Sequence, residues 1–276
     1  MSQKRPLWQN KKLLYLLIPL ALLLAALAPS GLTHFQKAHA TNAAPAARPI
    51  ALVYTDNHSV VGCDGCADAA VHMLKQSKWN FQIIQVGPDG QTLTPALLKS
   101  ATLYVQPGGG NSVENAYAEL QKYGKAHNYN FTTEMHSFVE HGGRYLGLCM
   151  GGFLAGNPGF NLLYPGDSGD FITSPGASVT TDADTIVDVS WRGQPRQIYF
   201  QGGAYFDMPD ESKVNVLARY TNNEIAVMIA HDKQGKVAVS GPHPEATVDW
   251  YDAYHLPHPK NMDVDLANDL LDTLMQ

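Results

Sequence analysis

Ile50-Ala51-Leu52-Val53-Tyr54, opened by Pro49, is apolar throughout, which suits a strand buried on both faces of a parallel sheet. Ala67 to Leu74 has helical spacing, and Phe81 to Val86 reads as the next strand. Thr94-Pro95 supplies an N-cap and a first-turn proline for a helix ending near Lys99. A third strand, Thr102 to Val105, runs into Pro107-Gly108-Gly109-Gly110. Val113 to Tyr123 and Thr132 to His141 are helical again, the second closing at Gly142-Gly143, and Tyr145 to Leu148 is a short buried strand. Strand and helix alternating in this way predict an α/β fold, a doubly wound, mostly parallel sheet with helices on both faces. Beyond Gly156 the pattern becomes β-rich, with runs at Thr185 to Trp191, Gln197 to Phe200, Val214 to Tyr220, Ile225 to His231 and Val237 to Ser240. One terminal helix follows, Val264 to Leu274. No repeat or second boundary interrupts 49–276, so a single domain with an additional β-rich C-terminal half is expected.

The first forty residues follow other rules. Lys4, Arg5, Lys11 and Lys12 precede an apolar run from Leu13 to Ala28 broken only by Pro19, and Ala38-His39-Ala40 offers a small-x-small cleavage site before a soft linker, 41–48. Residues 1–40 therefore read as an export signal, with an uncleaved membrane anchor as the alternative. In both cases the positive flank stays in the cytoplasm and the domain is translocated, to the periplasm or the extracellular side.

Composition fits a folded protein: 45% of the 276 residues are hydrophobic and 16% charged. Five of the 19 basic residues lie in 1–40, which holds no acid. The rest sets 14 basic against 25 acidic residues, a net charge of −11. Such a domain lacks the basic footprint of a nucleic-acid binder, so no DNA or RNA partner is expected. Membrane contact is expected only through a retained amino-terminal anchor.

Three cysteines remain to be placed. Cys63 and Cys66 form a C-x-x-C pair, open to three readings: a tight disulfide, a redox couple, or part of a metal site helped by His58 or His72. No resident metal and no cofactor is assigned. Cys149 stands apart, in Gly147-Leu148-Cys149-Met150-Gly151-Gly152, where a buried strand should turn sharply into a helix. This is the pattern of a nucleophile elbow with cysteine in place of serine. Downstream, Val237 to Ser240 ends in Gly241-Pro242-His243-Pro244-Glu245, placing His243 at the carboxyl end of a strand, the edge where such sheets bind ligands. His243 would take the thiol proton and Glu245 would orient the imidazole. The backbone N–H groups of Gly108, Gly109, Gly110 and Met150 are candidates for an oxyanion hole.

These residues resemble a known family. Gly147-x-Cys149-x-Gly151, Pro107-Gly108-Gly109 and His243-Pro244-Glu245 are similar to the class I glutamine amidotransferase-like superfamily. Within it, the stretch from Gly142 to Cys149 and Tyr199-Phe200-Gln201-Gly202-Gly203-Ala204-Tyr205-Phe206 look most like the amino-terminal domain of biotin-protein ligases, which also occurs as a stand-alone bacterial protein. The resemblance covers roughly 49 to 250. It implies a flavodoxin-like fold with Cys149 as nucleophile, His243 as base and Glu245 as its partner. Biotin transfer is not expected, because the chain ends soon after the site. The resulting expectation is an exported cysteine hydrolase or amidase acting on a small amide-type molecule. The alternatives are a binding module that keeps the same pocket without turnover and a C-x-x-C redox or metal protein.

Overall fold

The computed structural model describes residues 47–276 apart from 111, 260 and 261, so the segment read as an export signal or anchor lies outside the described residues. The amino-terminal part alternates as its pattern predicts: β1 (Ile50–Tyr54), α1 (Cys66–Gln76), β2 (Gln82–Val86), α2 (Pro95–Ser100), β3 (Leu103–Gln106), α3 (Val113–Ala126), α4 (Phe131–Glu140), β4 (Arg144–Leu148) and α5 (Met150–Ala155). The β-rich part contains β5 (Asp167–Asp170), β6 (Thr185–Trp191), β7 (Gln194–Phe200), β8 (Ala204–Asp207), β9 (Val214–Tyr220), β10 (Ile225–Asp232) and β11 (Gly235–Ser240). It is followed by α6 (Val248–Ala253) and α7 (Val264–Met275).

All eleven strands join one sheet, whose main path runs β2-β1-β3-β4-β11-β10-β9-β6-β7. From β2 to β11 the neighbours are parallel. From β11 onward they are antiparallel, with β5 on β8 and β8 on β10 as a side branch. The sheet is thus mixed: a parallel core of the expected kind continues into an antiparallel extension. Burial follows the strand period of two. In β1, Ala51 and Val53 join the apolar cluster beneath α1 and α7, with Leu74, Leu270 and Leu274. Leu52 and Tyr54 join the opposite cluster beneath α3 and α4, with Leu120, Phe131 and Met135. A strand covered on both faces has no polar alternation to show, which is why β1 reads as a continuous apolar run.

Local signals fix several boundaries. The Thr94 side chain accepts from the Leu97 N–H at 3.2 Å, with Pro95 in the first turn of α2. Ser112 and Asn130 cap α3 and α4 in the same way. Three elements carry no such signal. The β5 sequence Asp-Ser-Gly-Asp has no apolar pattern and is a strand only because β8 pairs with it. β8 is four residues long, and α6 has six. Among the described residues no helix is long and apolar enough to cross a membrane.

Candidate active site

Cys149 is the single residue between β4 and α5, and its backbone sits at φ 50°, ψ −106°. A non-glycine residue at positive φ is held there by its surroundings at a cost of about 1–3 kcal/mol. Here the Cys149 N–H donates to the Ser240 carbonyl of β11 at 2.8 Å, and its own carbonyl accepts from the Gly152 and Phe153 N–H groups at 2.8 and 3.1 Å. The turn also needs close approach. A methyl group on Gly151 would lie 2.0 Å from the Gln106 carbonyl oxygen at the end of β3, so α5 reaches the sheet edge only because that position is bare. The side chain of Cys149 is buried and free of any disulfide; its sulfur lies 3.7 Å from the Gln201 carbonyl oxygen.

His243 comes from the loop after β11. Ser240 Oγ donates to the Pro242 carbonyl at 2.6 Å, and the His243 N–H donates to the Tyr199 carbonyl at 2.9 Å, which ties the loop to β7. Its Nδ1–H donates to Glu245 Oε1 at 2.8 Å, both side chains being buried. Tyr199 and Trp250 meet the ring edge-on, at 5.8 and 5.3 Å between centroids. That bond consumes Nδ1, and Nε2 is left buried with no protein partner satisfying hydrogen-bond geometry. Burial alone would lower the imidazole pKa, but the Glu245 carboxylate and the Cys149 sulfur outweigh it and hold the imidazole well above its ordinary value of 6.5.

The three strand ends converge on Gly108. A methyl group there would lie 3.1 Å from Cys66 Sγ, 3.2 Å from His243 Cε1 and 3.8 Å from Cys149 Cβ, so the bare backbone lets these side chains share one volume. Of the proposed oxyanion donors, Gly110 is already used, its N–H donating to the Val60 carbonyl at 2.9 Å. Among the described residues, Gly108, Gly109 and Met150 have no such protein acceptor. Cys63 and Cys66 are joined as a disulfide at the start of α1. Neither histidine weighed beside them is directed there: exposed His58 faces Asp89 at 3.3 Å, and His72 bonds Gln76 at 2.7 Å. Among the described residues no group of three or more His, Cys, Asp or Glu is placed to hold a metal ion.

Two clefts meet at Cys149. One, of about 420 Å³, is bounded by Gly109, Gly110, Met150, Asp170, Asp182 and Gln201. The other, of about 370 Å³, is bounded by the disulfide, Gly108, Asp184, His243, Asp249 and Trp250. A larger hollow of about 520 Å³ between α2 and α4 is lined by no cysteine and by none of these residues. Sequence reasoning missed the cleft-wall residues Asp170, Asp182, Asp184, Asp249 and Trp250. Each sits in a segment without a motif, and only the order of strands in the sheet brings them together.

The chain matches the family described as "Biotin-protein ligase, N terminal" over residues 51–159 and 173–273. It is 29% identical over 199 residues to an uncharacterized protein of Chlamydia muridarum, covering 63% of this chain and 73% of that one. It is also 31% identical over 173 residues to the biotin–protein ligase of Schizosaccharomyces pombe, covering 53% of this chain but only 26% of the ligase. Among solved structures, PurLQS from Thermotoga maritima superposes with a TM-score of 0.52 at 20% identity, over 83% of this chain and 100% of that one, a likeness of fold alone. Two matched segments spanning nearly the whole described domain settle the family: the chain belongs to the biotin-protein ligase N-terminal family.

Proposed function

We propose that this protein hydrolyses a C–N bond of a small amide, with Cys149 as nucleophile, His243 as general base and then general acid, and Glu245 orienting and charging the imidazole. The observation that carries the reading is the strained Cys149 turn aimed into the same volume as a buried histidine whose other nitrogen is already committed to a buried carboxylate. In the proposed cycle His243 Nε2 accepts the thiol proton, and the sulfur attacks the amide carbonyl. Free N–H groups of Gly108, Gly109 and Met150 are available to the developing oxyanion. The imidazolium returns its proton to the departing amine, leaving a thioester on Cys149. Water, deprotonated by the same imidazole, then releases the carboxylic acid and restores the thiol. The balance is amide plus water to acid plus amine, with no cofactor.

The same reading places the protein outside the cytoplasm, in the periplasm or the extracellular space. Two independent features support it: the basic-then-apolar pattern of residues 1–28, and the Cys63–Cys66 disulfide, a bond that persists in oxidising compartments. Ammonia or amine release from a panel of small amides by the purified domain, beside Cys149→Ala and His243→Ala, tests the chemistry. Activity present in the parent and lost in both variants, with unfolding midpoints retained, is the expected result. Full activity in both variants overturns the proposal.

A further inference from the structure

The walls of the two clefts share one chemical character. Asp170 and Asp182 bound the first, and Asp64, Asp184 and Asp249 bound the second. Among the described residues neither cleft is lined by a lysine or an arginine. None of these five carboxylates belongs to an ion pair among the described residues. The acids of α7 are treated quite differently: Asp265, Asp269 and Asp272 each face an arginine or a lysine at 2.7 Å. The cleft carboxylates are partnered instead by neutral groups. Asp184 accepts from the Tyr199 hydroxyl and from Gln201 Nε2, and Asp170 accepts from the Ile172 N–H. Burial and the nearby charge of Asp182 both raise the Asp170 pKa, which shows the two carboxyls sharing one field.

A second feature points to a ligand. The cleft holding Asp64, Asp184 and Asp249 is also walled by Tyr199, Trp250 and the half-exposed Tyr254. Tyr199 and Trp250 stand nearly edge to face, 5.2 Å apart, beside the buried and unpartnered Nε2 of His243. Aromatic rings interleaved with unpaired carboxylates favour an organic ammonium group, through charge and through the ring quadrupole together. They disfavour a carboxylate, which would enter a field of its own sign, because the one cation on the wall, the His243 imidazolium, is already paired with Glu245. A volume of about 370 Å³ admits a small molecule rather than a folded chain.

Resting on the hydrolase reading and deepening it, we infer that the substrate is a cationic amide, carrying an ammonium group that sits among Asp184, Asp249 and Trp250 while its carbonyl faces Cys149. An amide bearing a carboxylate next to the scissile bond is excluded by the same walls.

The test needs no knowledge of the natural substrate. Three methanethiosulfonates, carrying a trimethylammonium, a methyl or a sulfonate group, react with a thiolate to give a mixed disulfide and methanesulfinate. Only Cys149 has a free thiol for them. The ratio of cationic to anionic rate constants, divided by the ratio for free cysteine, is expected to be about 100 at low ionic strength and to fall steeply in high salt. Asp184→Asn and Asp249→Asn should each reduce it several-fold, with the methyl reagent as internal reference. A second arm does not depend on the nucleophile: 6-aminohexanamide, hexanamide and the monoamide of glutaric acid are titrated into Cys149→Ala by calorimetry. The cationic amide is expected to bind at least tenfold tighter than the neutral one, and the anionic one not measurably. Absence of a charge order in both arms overturns the inference, even if the neutral reagent shows Cys149 to be reactive. A native protein inert to the neutral reagent overturns the hydrolase reading instead, and the calorimetry then decides the charge preference by itself.

Discussion

Replacing Glu245 by glutamine removes one negative charge and very little else. The amide oxygen can still accept from His243 Nδ1–H, which in the wild type lies 2.8 Å from Glu245 Oε1, so ring orientation and tautomer are kept. What is lost is the attraction between carboxylate and imidazolium. With charge centres about 4 Å apart and an effective dielectric near 20, that attraction is worth about 4 kcal/mol. Breaking buried ion pairs by removing one partner costs about 3–5 kcal/mol, in agreement. At 1.36 kcal/mol per pKa unit, His243 should fall by roughly three units. That takes it from about 10, a value that already includes the effect of burial, to about 7, so the ring is no longer held fully protonated at pH 7. The imidazolium that would accompany a Cys149 thiolate is then no longer favoured. Alkylation of Cys149 by iodoacetamide, followed by mass spectrometry from pH 5 to 9, should slow at pH 7 by up to about a thousandfold, with its rising limb moved to higher pH. Circular dichroism and the unfolding midpoint control for the fold. A fall of less than about tenfold in a folded variant would refute the argument that the Glu245 charge drives the nucleophile.

Gly151→Ala should lower stability by about 2–3 kcal/mol, because its methyl would fall 2.0 Å from the Gln106 carbonyl oxygen and neither backbone can give way cheaply; an unchanged urea midpoint contradicts the packing argument. Replacing Cys63 and Cys66 by serine opens a four-residue ring. Loop entropy puts the loss at about 2 kcal/mol, read as a lower midpoint that reductant no longer shifts. Asp263 is fully buried beside Tyr251, and burial raises its carboxyl pKa to about 6. Its folded-state pKa therefore lies above its unfolded value, and stability is lost as pH rises from about 4 to about 6. Asp263→Asn should leave stability nearly unchanged at pH 4 and raise it by about 2–3 kcal/mol at pH 7.5. Urea midpoints that move in parallel for both proteins across that range would contradict the assignment.

The candidate residues Cys149, His243 and Gly108 were legible in the sequence and lie together in the structure, whereas the walls of the clefts were not legible, and the difference has a physical origin. Cys149, Gly108 and His243 lie one, two and three residues beyond the ends of β4, β3 and β11, strands of the parallel core that announce their burial on both faces. Ile50 to Tyr54 and Tyr145 to Leu148 have no polar alternation because helices cover both sides of the sheet. Once the strands are found, the carboxyl edge follows, and with it the candidate residues. The acids of the clefts obey no such rule. Asp170 ends β5, a strand that exists by its pairing with β8 and not by its own composition. Asp249 lies in the first turn of α6, which is six residues long. In sequence these read as ordinary solvated carboxylates, and their shared role appears only with the sheet order.

The strand order also divides the candidate site into two parts. β3, β4 and β11 are adjacent and parallel, so their ends hold Gly108, Cys149 and His243 in fixed relation whatever surrounds them. The antiparallel extension attaches on the far side of β11 through the β10–β11 ladder, and its β7 is tied to the loop after β11 by the His243 N–H to Tyr199 carbonyl bond. Through Tyr199, Gln201 and Asp184 it builds the wall facing the nucleophile. Side-chain substitutions there are expected to alter which molecule reaches Cys149 while the elbow backbone keeps its braces on β3 and β11. Exchanging acid for base at Asp184 of the extension and Asp249 of α6 together should therefore abolish the preference of Cys149 for the cationic reagent while its rate with a neutral reagent changes far less. A comparable change in all three rates would show that nucleophile and wall are one coupled unit, and that specificity in this domain cannot drift independently of its chemistry.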